Sequence, residues 1–455
     1  MAIPVFLGYE TVNGEARMEE HPALKRTDAE KAASVTPVNY AYPPGDVRRY
    51  GAVGDDSTDC TAAIQAAINQ YGEDGGAEIL FPEGIYHIVA GFTITHRIVM
   101  RGAGKFKSVI YAVGFGTDVE ILNFAGSSGS GVIDNCVVED LMFQSNNGAA
   151  RAITATWVTK SRFIGVTFYG LYRGYVGDHA FLNKFEGVST FDIAQQSWLL
   201  QDECNNCHWD TCEGRSTSSH GFEVSGNCAG LSFSCYNGEG ILDNTKAALY
   251  LAPATGKRII GLSVRGSYFE QIAGHAIQCN GADTDSVMGL TVQGNQFFGG
   301  AVNFAANFTS PTGNAVYAIN LKKVTGWDIS DNVFIDWATS AFLRDGTEVN
   351  GRCWNNTTCA VGSASAVAAL TSSSNLFSAS VDVQNNFAGR KVQYMSSIPT
   401  TGSYTAGDLV RKIGGYSIDA NNMVLTGWGR ITTGSSHTVG TDWARLYASH
   451  NTPAT

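Results

Sequence analysis

Most of the chain alternates between apolar and polar residues with a period of two, the pattern of short β-strands. One segment departs from it. Between the capping candidates Thr58 and Asp59 and the helix-breaking pair Gly75–Gly76, apolar residues recur at helical spacing, which predicts one amphipathic helix. Its apolar stripe consists of Ala63, Ile64, Ala67, Ile68 and Tyr71. Short strands predicted at 77–81, 85–89 and 92–95 follow, so the helix is expected to cap an all-β body.

A nine-residue pattern recurs in the middle of the chain. Copies begin at Gly261, Gly289 and Gly326, and each contains two alternating core residues, then Ser267, Asn295 or Asn332, then Phe269, Phe297 or Phe334. A solenoid adds one strand per coil to each sheet and tolerates loops of unequal length. Amides at the repeated polar position are expected to form a ladder between coils. A β-sandwich gives no reason for such a repeat, so the prediction is an all-β, right-handed, single-stranded parallel β-helix with an N-terminal capping helix.

Three regions follow from these patterns. Residues 1–45 are polar and charged and end at Pro43–Pro44–Gly45, which predicts an N-terminal arm and linker. Residues 46–390 are assigned to the β-helix. Residues 391–455 are rich in turns and contain Trp428 and Trp443, which predicts a small C-terminal β module for trimerisation or carbohydrate contact.

Composition narrows the possible partners. The chain has 455 residues, of which 30 are basic and 41 acidic, giving a formal net charge of −11. This excess of acidic residues argues against binding to nucleic acid or to anionic membranes, because both bind to basic surfaces. The apolar runs are much shorter than the roughly 20 residues of a membrane-spanning helix. The start lacks the basic and apolar regions of a signal peptide, so synthesis in a reducing cytoplasm is expected.

The ten cysteines are scattered along the chain, so a disulfide framework is not expected. Cys204, Cys207 and Cys212 form a cluster with His208. A structural zinc site would need a second pair of ligands at suitable spacing, and none is evident. Small apolar thiols in a core are the preferred interpretation, and neither a metal nor a cofactor is expected.

Residues 46–70, which begin DVRRYGAVGDDSTDCTAAIQ, resemble the N-terminal signature of the pectate-lyase-like β-helix superfamily in the form found in bacteriophage tailspikes. The segments 399–408 and 427–443 resemble terminal modules of phage tail fibres and tailspikes. The resemblance implies a homotrimer on a phage or prophage virion tail, made in the host cytoplasm, that binds and depolymerises capsule or O-antigen at the bacterial surface. The arm would attach it to a phage tail or adaptor protein, although it is shorter than a typical tailspike head domain.

Hydrolysis of a glycosidic bond needs two carboxyl groups, one on each side of the bond. Counting eight residues on from Leu231 and Leu262 gives Glu239 and Glu270, and Glu213 precedes Glu239 by about one coil. These three glutamates are predicted to form a column on an outer face, because neighbouring coils lie about 4.8 Å apart. The reserve acids are Asp202, Glu203, Asp210 and Asp243. The candidate substrate-binding residues are Trp209, Tyr236, Tyr268, Arg265 and His275.

Two alternatives to a hydrolase stay open. A lyase acting by β-elimination on a uronate-containing polymer would need a base beside an arginine, for which His208, His220, His275, Lys246 and Arg265 supply material. A non-catalytic receptor-binding spike would need neither. Hydrolysis is the preferred prediction.

Overall fold

In this computed structural model the described residues are 9–12, 15–18, 25–72, 78–216, 218–241, 243–298, 317–335, 340–344, 351–354, 356–359, 384–386, 390–395, 397–399, 404, 406–412 and 423–449. They fall into two compact units, Met1–Ile241 and Leu242–Thr455. Each unit is described by itself. Among the described residues, no helix is long and apolar enough to cross a membrane.

The first unit opens with an antiparallel hairpin and the capping helices. The elements are β1 (Tyr9–Val12), β2 (Glu15–Met18), α1 (Asp28–Ala32), a 3₁₀ helix (Val47–Tyr50) and α2 (Thr61–Tyr71). The predicted amphipathic helix is confirmed as α2, which buries most of its apolar stripe. The predicted caps are wrong: Cys60 is the N-cap residue, because Thr58 and Asp59 belong to the preceding strand. The helix ends at Tyr71 with Gly72 as its C-cap residue, and Gly75–Gly76 lie outside the described residues.

A buried ion pair attaches α1 to the 3₁₀ helix. The fully buried carboxylate of Glu30 accepts hydrogen bonds from Arg49 Nε at 2.6 Å and from the Tyr50 hydroxyl at 2.9 Å. Burial disfavours the charged carboxylate, but these bonds and one from the Thr27 backbone hold the pKa of Glu30 below its usual value. This part of the predicted arm is therefore anchored to the cap.

The rest of the first unit consists of parallel strands in three sheets. Sheet I contains β6 (Phe92–Ile94), β9 (Glu120–Ala125), β13 (Arg151–Thr159), β16 (Arg173–Phe181), β19 (Trp198–Asp202) and β23 (Phe222–Val224), with the short strands β10 (Ile133–Asp134), β20 (Cys204–Asn205) and β24 (Cys228–Ala229). Sheet II contains β4 (Ile79–Phe81), β7 (Val99–Gly102), β11 (Val137–Glu139), β14 (Arg162–Ile164), β17 (Lys184–Glu186), β21 (His208–Asp210) and β25 (Ser232–Ser234). Sheet III contains β3 (Asp55–Asp59), β5 (Gly84–Ile88), β8 (Ser108–Ala112), β12 (Met142–Ser145), β15 (Thr167–Leu171) and β18 (Ser189–Ile193), and the pair β22 (Glu213–Ser216) and β26 (Asn237–Ile241) follows it.

The second unit has parallel stacks of the same kind and a C-terminal sheet. One stack consists of β27 (Ala247–Leu251), β31 (His275–Cys279), β35 (Tyr317–Leu321) and β39 (Ser340–Arg344), and a second of β28 (Ile259–Ile260), β32 (Val287–Met288) and β36 (Val324–Thr325). The others are β29 (Ser263–Arg265), β33 (Thr291–Gln293), β37 (Asp328–Ser330) and β40 (Arg352–Trp354), then β30 (Tyr268–Ile272), β34 (Gln296–Phe298), β38 (Val333–Ile335) and β41 (Thr357–Cys359). The C-terminal sheet contains β42 (Gln384–Asn386), β43 (Arg390–Met395), β44 (Leu409–Lys412), β45 (Met423–Arg430) and β46 (Trp443–Ser449). The predicted right-handed parallel β-helix is confirmed.

Aromatic side chains stack inside the first unit. Phe163, Phe185, Trp209 and Phe233 occupy equivalent positions of β14, β17, β21 and β25. Their successive ring centroids lie 4.9, 5.0 and 5.1 Å apart. This spacing is close to the strand separation of about 4.8 Å, so the backbone register itself sets the stacking distance.

The nine-residue repeat predicted from the sequence is confirmed in the second unit. Phe269, Phe297 and Phe334 pair in register, and their neighbouring rings stack at 4.9 Å. The predicted amide ladder is also present: Asn295 donates from its backbone nitrogen and its side chain to Asn332 Oδ1, both at 2.9 Å. The repeat therefore encodes one column of packed rings and one column of bonded amides.

Trp428 and Trp443 of the C-terminal sheet pack with Tyr404 and Val410 into a small core. This agrees with a packing role for the two tryptophans. The β42 strand pairs with β43 in the same sheet.

We predict that Asn332→Ala lowers the thermal stability of the protein. The buried Asn332 side chain also donates to the Val292 carbonyl at 2.9 Å, so its loss leaves several buried polar groups without partners. Each such group costs about 1–3 kcal/mol. Thermal melts followed by circular dichroism measure the effect, with the exposed Asn69→Ala of α2 as the control. Equal melting temperatures for the two variants would contradict a stabilising amide ladder.

Candidate active site

Glu213 and Glu239 do not form the predicted column. Glu213 pairs in register with Asn237, and the register shifts between Gly214 and Ser216, where Ser216 pairs with Ile241. The coil is thus shorter at Glu213 than the sequence count assumed, and a bulge follows. The expected stack of these two glutamates is wrong for this reason.

Arg215 nevertheless brings the two glutamates together. Its guanidinium forms an ion pair with Glu239 Oε1, and its Nε lies 3.8 Å from Glu213 Oε2. The buried Glu239 also accepts a hydrogen bond from Asn237 Nδ2 at 2.9 Å. Both carboxylates are therefore held by neighbouring donors, as expected of a structural ion-pair cluster, and a catalytic role for either stays a prediction.

Trp209 and Tyr236 are core residues, which corrects the expectation that they stack on sugar. Trp209 belongs to the aromatic stack of sheet II and is fully buried. Tyr236 is also fully buried, and burial raises the pKa of its hydroxyl well above the usual value. Gly214 is required beside it, since a Cβ there would lie 1.6 Å from the Tyr236 hydroxyl oxygen.

Asp210, the other candidate in the first unit, is exposed at the end of β21, in register with Glu186. It is accessible to a ligand, and its Oδ1 accepts a weak hydrogen bond of 3.4 Å from the Thr211 hydroxyl. Its catalytic role stays a prediction.

Of the four candidates in the second unit, Tyr268 and Glu270 are bonded to each other. Tyr268 donates its hydroxyl to Glu270 Oε2 at 2.8 Å, and both side chains are half-buried. Asp243 Oδ1 accepts bonds from the Thr245 backbone nitrogen and hydroxyl, which fixes the turn before β27. Arg265 is exposed on β29. The pairing of Glu239 with Glu270, which belong to different units, stays a prediction.

His275, the remaining candidate, is a buried residue. Its ring stacks on Tyr317 with centroids 5.9 Å apart, and burial lowers the pKa of its imidazole. Stacking inside the unit gives it a packing role rather than access to a sugar.

A cluster on sheet I brings together residues that the sequence analysis largely missed. Asp178 and His179 lie near the end of β16, Trp157 lies on the preceding coil, and Asp202 and Glu203 lie on the following one. The side chains of Asp178, His179 and Glu203 keep 36, 24 and 51% of their surface exposed. They therefore line an accessible outer face.

The imidazole of His179 is the centre of this cluster. It stacks on Trp157 with ring centroids 4.2 Å apart and an interplanar angle of 21°. Its Nδ1 lies 2.6 Å from Asp178 Oδ1, and its Nε2 lies 3.8 Å from Glu203 Oε2. A histidine between two carboxylates on an exposed face is an arrangement suited to proton transfer.

Asp202 supports the cluster from the next coil. It pairs in register with Asp178, and its Oδ1 accepts hydrogen bonds from the backbone nitrogens of Glu203 at 3.1 Å and Asn227 at 3.3 Å. A signal for this pairing was present in the sequence. The step from Asp178 to Asp202 has the same length as the step from Phe185 to Trp209, which is one coil.

Residues 46–342 match the family described as rhamnogalacturonase A/epimerase, pectate lyase-like. The chain belongs to this family. It is a family of carbohydrate-active enzymes that includes hydrolases and epimerases. The match confirms the pectate-lyase-like part of the sequence resemblance, whereas a tailspike role stays a prediction.

Curated relatives match only a segment of the chain. The mannuronan C5-epimerases AlgE5 and AlgE2 of Azotobacter vinelandii are each 32% identical over 108 residues, which is 22% of this chain and 11% of each relative. The match thus spans about a tenth of the length of these relatives.

Two solved structures share the fold. ORF18 of Geobacillus virus E2 has a TM-score of 0.57 and 15% identity over 98% of this chain and 85% of its own. The DFA-IIIase of Arthrobacter chlorophenolicus A6, bound to DFA-III, has a TM-score of 0.52 and 13% identity over 70% of this chain and 85% of its own. At these identities the likeness is one of fold alone.

We predict that His275→Gln reduces the loss of stability on acidification. Because the pKa of His275 is lowered in the folded protein, the unfolded chain binds its proton first as the pH falls below about 6.5. The resulting loss of stability is absent in the variant. Melting temperatures at pH 7 and pH 5 measure the difference, with the exposed His208→Gln as the control. An unchanged pH dependence in the His275 variant would contradict the prediction.

Proposed function

We propose that the protein depolymerises a bacterial surface polysaccharide, capsule or O-antigen, by glycosidic hydrolysis at the cluster of Asp178, His179 and Glu203. The observation that carries the proposal is the partly exposed imidazole that lies between two carboxylates on sheet I. Membership of a carbohydrate-active family supports action on a glycan.

The cluster has the parts that hydrolysis needs. Asp178, bonded to His179, activates a water molecule, and the more exposed Glu203 protonates the leaving oxygen. Because an imidazole ring separates the two carboxylates, we assign them to the wider class of pairs, about 6.5–9.5 Å apart, which invert the anomeric centre. Trp157, beneath His179, supplies an apolar ring beside the reacting sugar.

A second candidate function is β-elimination on a uronate polymer. The observation that favours it is the bond between Asp178 and His179 Nδ1, which orients the imidazole and leaves Nε2 to act as a base. An eliminase releases a product with a conjugated double bond that absorbs ultraviolet light. A hydrolase releases reducing ends without that absorbance.

We predict that Asp178→Asn and Glu203→Gln each reduce depolymerisation by at least about a hundredfold, because acid and base act as one unit. Folding is expected to survive, since both changes keep the size of partly exposed side chains. The assay incubates purified capsule and O-antigen polysaccharides with each variant and follows product size and reducing ends. Asp28→Asn, which removes the charge of an exposed carboxylate on α1, is the matched control.

The same assay includes Glu239→Gln and Glu270→Gln, the pair predicted from the sequence. Full activity of the Asp178 and Glu203 variants would contradict the assignment of catalysis to sheet I. Loss of activity in the Glu239 and Glu270 variants would instead support the pair predicted from the sequence. A wild-type protein that binds a polysaccharide without releasing products would instead be a non-catalytic receptor-binding spike.

The oligomeric state and the location that we propose rest on the resemblance to phage tailspikes. We infer a homotrimer on a phage or prophage virion tail, attached through the N-terminal arm and acting at the bacterial surface. Light scattering is expected to give about three times the 48.4 kDa of one chain. A monomer across the micromolar range would contradict this assembly.

A further inference from the structure

A column of ring-bearing and amide side chains runs along the outer face of sheet III. It consists of His87, Tyr111, Gln144, Tyr169 and Phe191, which occupy equivalent positions on β5, β8, β12, β15 and β18. The column spans four strand steps, or about 19 Å at the usual strand spacing. It contains none of the residues of the cluster on sheet I.

The rings of this column are accessible and ordered by the strands. His87 and Tyr111 have ring centroids 4.9 Å apart, and His87 Nε2 is held by Asp56 at 2.8 Å. Tyr169 keeps 36% of its surface exposed, and Tyr111, Gln144 and Phe191 are half-buried. Two pairs of rings thus flank one amide, which alternates stacking surfaces with a hydrogen-bonding group.

The loop between β7 and β8, residues 103–107, overhangs one end of the column. Its Lys105 donates to the Ser189 hydroxyl at 3.1 Å, at the start of β18. The neighbouring Phe106 is 60% exposed, and its ring lies 6.5 Å from that of Phe191. Arg215 lies over the same Phe191 ring at 5.1 Å. The loop and Arg215 therefore surround the Phe191 ring at this end of the column.

Lys105 is the cation at this end of the column that is available to an anionic ligand, because the neighbouring carboxylates of Glu213 and Glu239 face Arg215. Arg215 is paired with Glu239, but within the described part of the chain the ammonium of Lys105 has only the neutral Ser189 hydroxyl as a polar partner. It also lies 5.6 Å from the Phe106 ring. A cation beside stacked rings matches a sugar that carries a carboxylate.

We propose that the column on sheet III and the loop 103–107 form a second glycan-binding site, which holds a strand of acidic polysaccharide along the axis of the β-helix. Rings stack on the faces of the sugars, Gln144 bonds their hydroxyls, and Lys105 pairs with a carboxylate. A protein partner is disfavoured because it would bury Lys105, and lysine is depleted from the cores of protein interfaces. The proposal goes beyond the hydrolysis at sheet I and does not depend on it.

The test is affinity electrophoresis of the full chain in gels that contain a polymer. Carboxymethylcellulose and hydroxyethylcellulose form a matched pair of probes, because they share one backbone and only the first carries carboxylates. All variants carry Asp178→Asn, so cleavage at sheet I does not interfere. We expect retardation by carboxymethylcellulose, with at least about tenfold weaker binding for the double variant Tyr169→Ala/Phe191→Ala.

Two further variants sharpen the test. Lys105→Gln is expected to weaken binding and to reduce its dependence on salt, because it removes the cation and leaves the rings. Tyr42→Ala, which removes a half-buried ring of the N-terminal segment, is the control and should bind like its parent.

Three results would overturn the proposal. The first is a parent protein that carboxymethylcellulose does not retard. The second is equal retardation of the parent and the Tyr169/Phe191 variant. The third is a lower oligomeric mass of that variant in light scattering, which would show that the column is covered by another copy of the chain.

Discussion

The constraint on which the structure depends is the parallel register between neighbouring coils. Each strand bonds to the equivalent strand of the next coil, so each side chain lies above its equivalent about 4.8 Å away. A slip of one residue would exchange the inner and outer faces of a strand. The ring stack through Phe185 and Trp209 and the amide ladder through Asn295 and Asn332 each occupy one such column. The ring stack and the amide ladder both stabilise this register, and both would be lost in any other.

This constraint assigns packing residues to the inward face of each strand and leaves the outward face for reactive or binding residues. Inward columns must be apolar or fully bonded, and they repeat similar residues because each must fit its neighbours. Outward columns carry no such demand, so they are free to hold reactive or binding groups. Asp178 and Asp202 share one outward column on sheet I, and Tyr169 and Phe191 share another on sheet III. The β-helix thus places rows of functional groups on different faces without changing its core.

The same separation explains what the sequence could predict. Inward positions repeat, so the nine-residue pattern and its phenylalanines revealed the fold and one register. Outward positions do not repeat, so site residues had to be counted from a core position, and counting fails where a coil differs in length from the assumed one. Glu213 pairs with Asn237, which is 24 residues on, so Glu239 lies two positions past the partner of Glu213. Trp209 was misjudged for a related reason: an aromatic residue packs or binds according to its face, and its place in the column of Phe185 and Phe233 decides that it packs.

The backbone offers an independent reason to prefer the cluster on sheet I. Trp157, His179 and Glu203 have φ values of 52°, 55° and 39°, in the left-handed region that costs a non-glycine residue about 1–2 kcal/mol. Coil closure does not require this conformation, because Ser225–Gly226–Asn227 connect β23 to β24 in the following coil without a positive φ. Positive φ values also occur at other turns of the coils, for example at Lys160, Leu182 and Asn206. At Trp157, His179 and Glu203 the strained conformation brings an indole, an imidazole and a carboxylate to one exposed face, as strain at functional sites does. The ion-paired Glu213 and Glu239 have no positive φ, which supports the proposed placement of catalysis on sheet I.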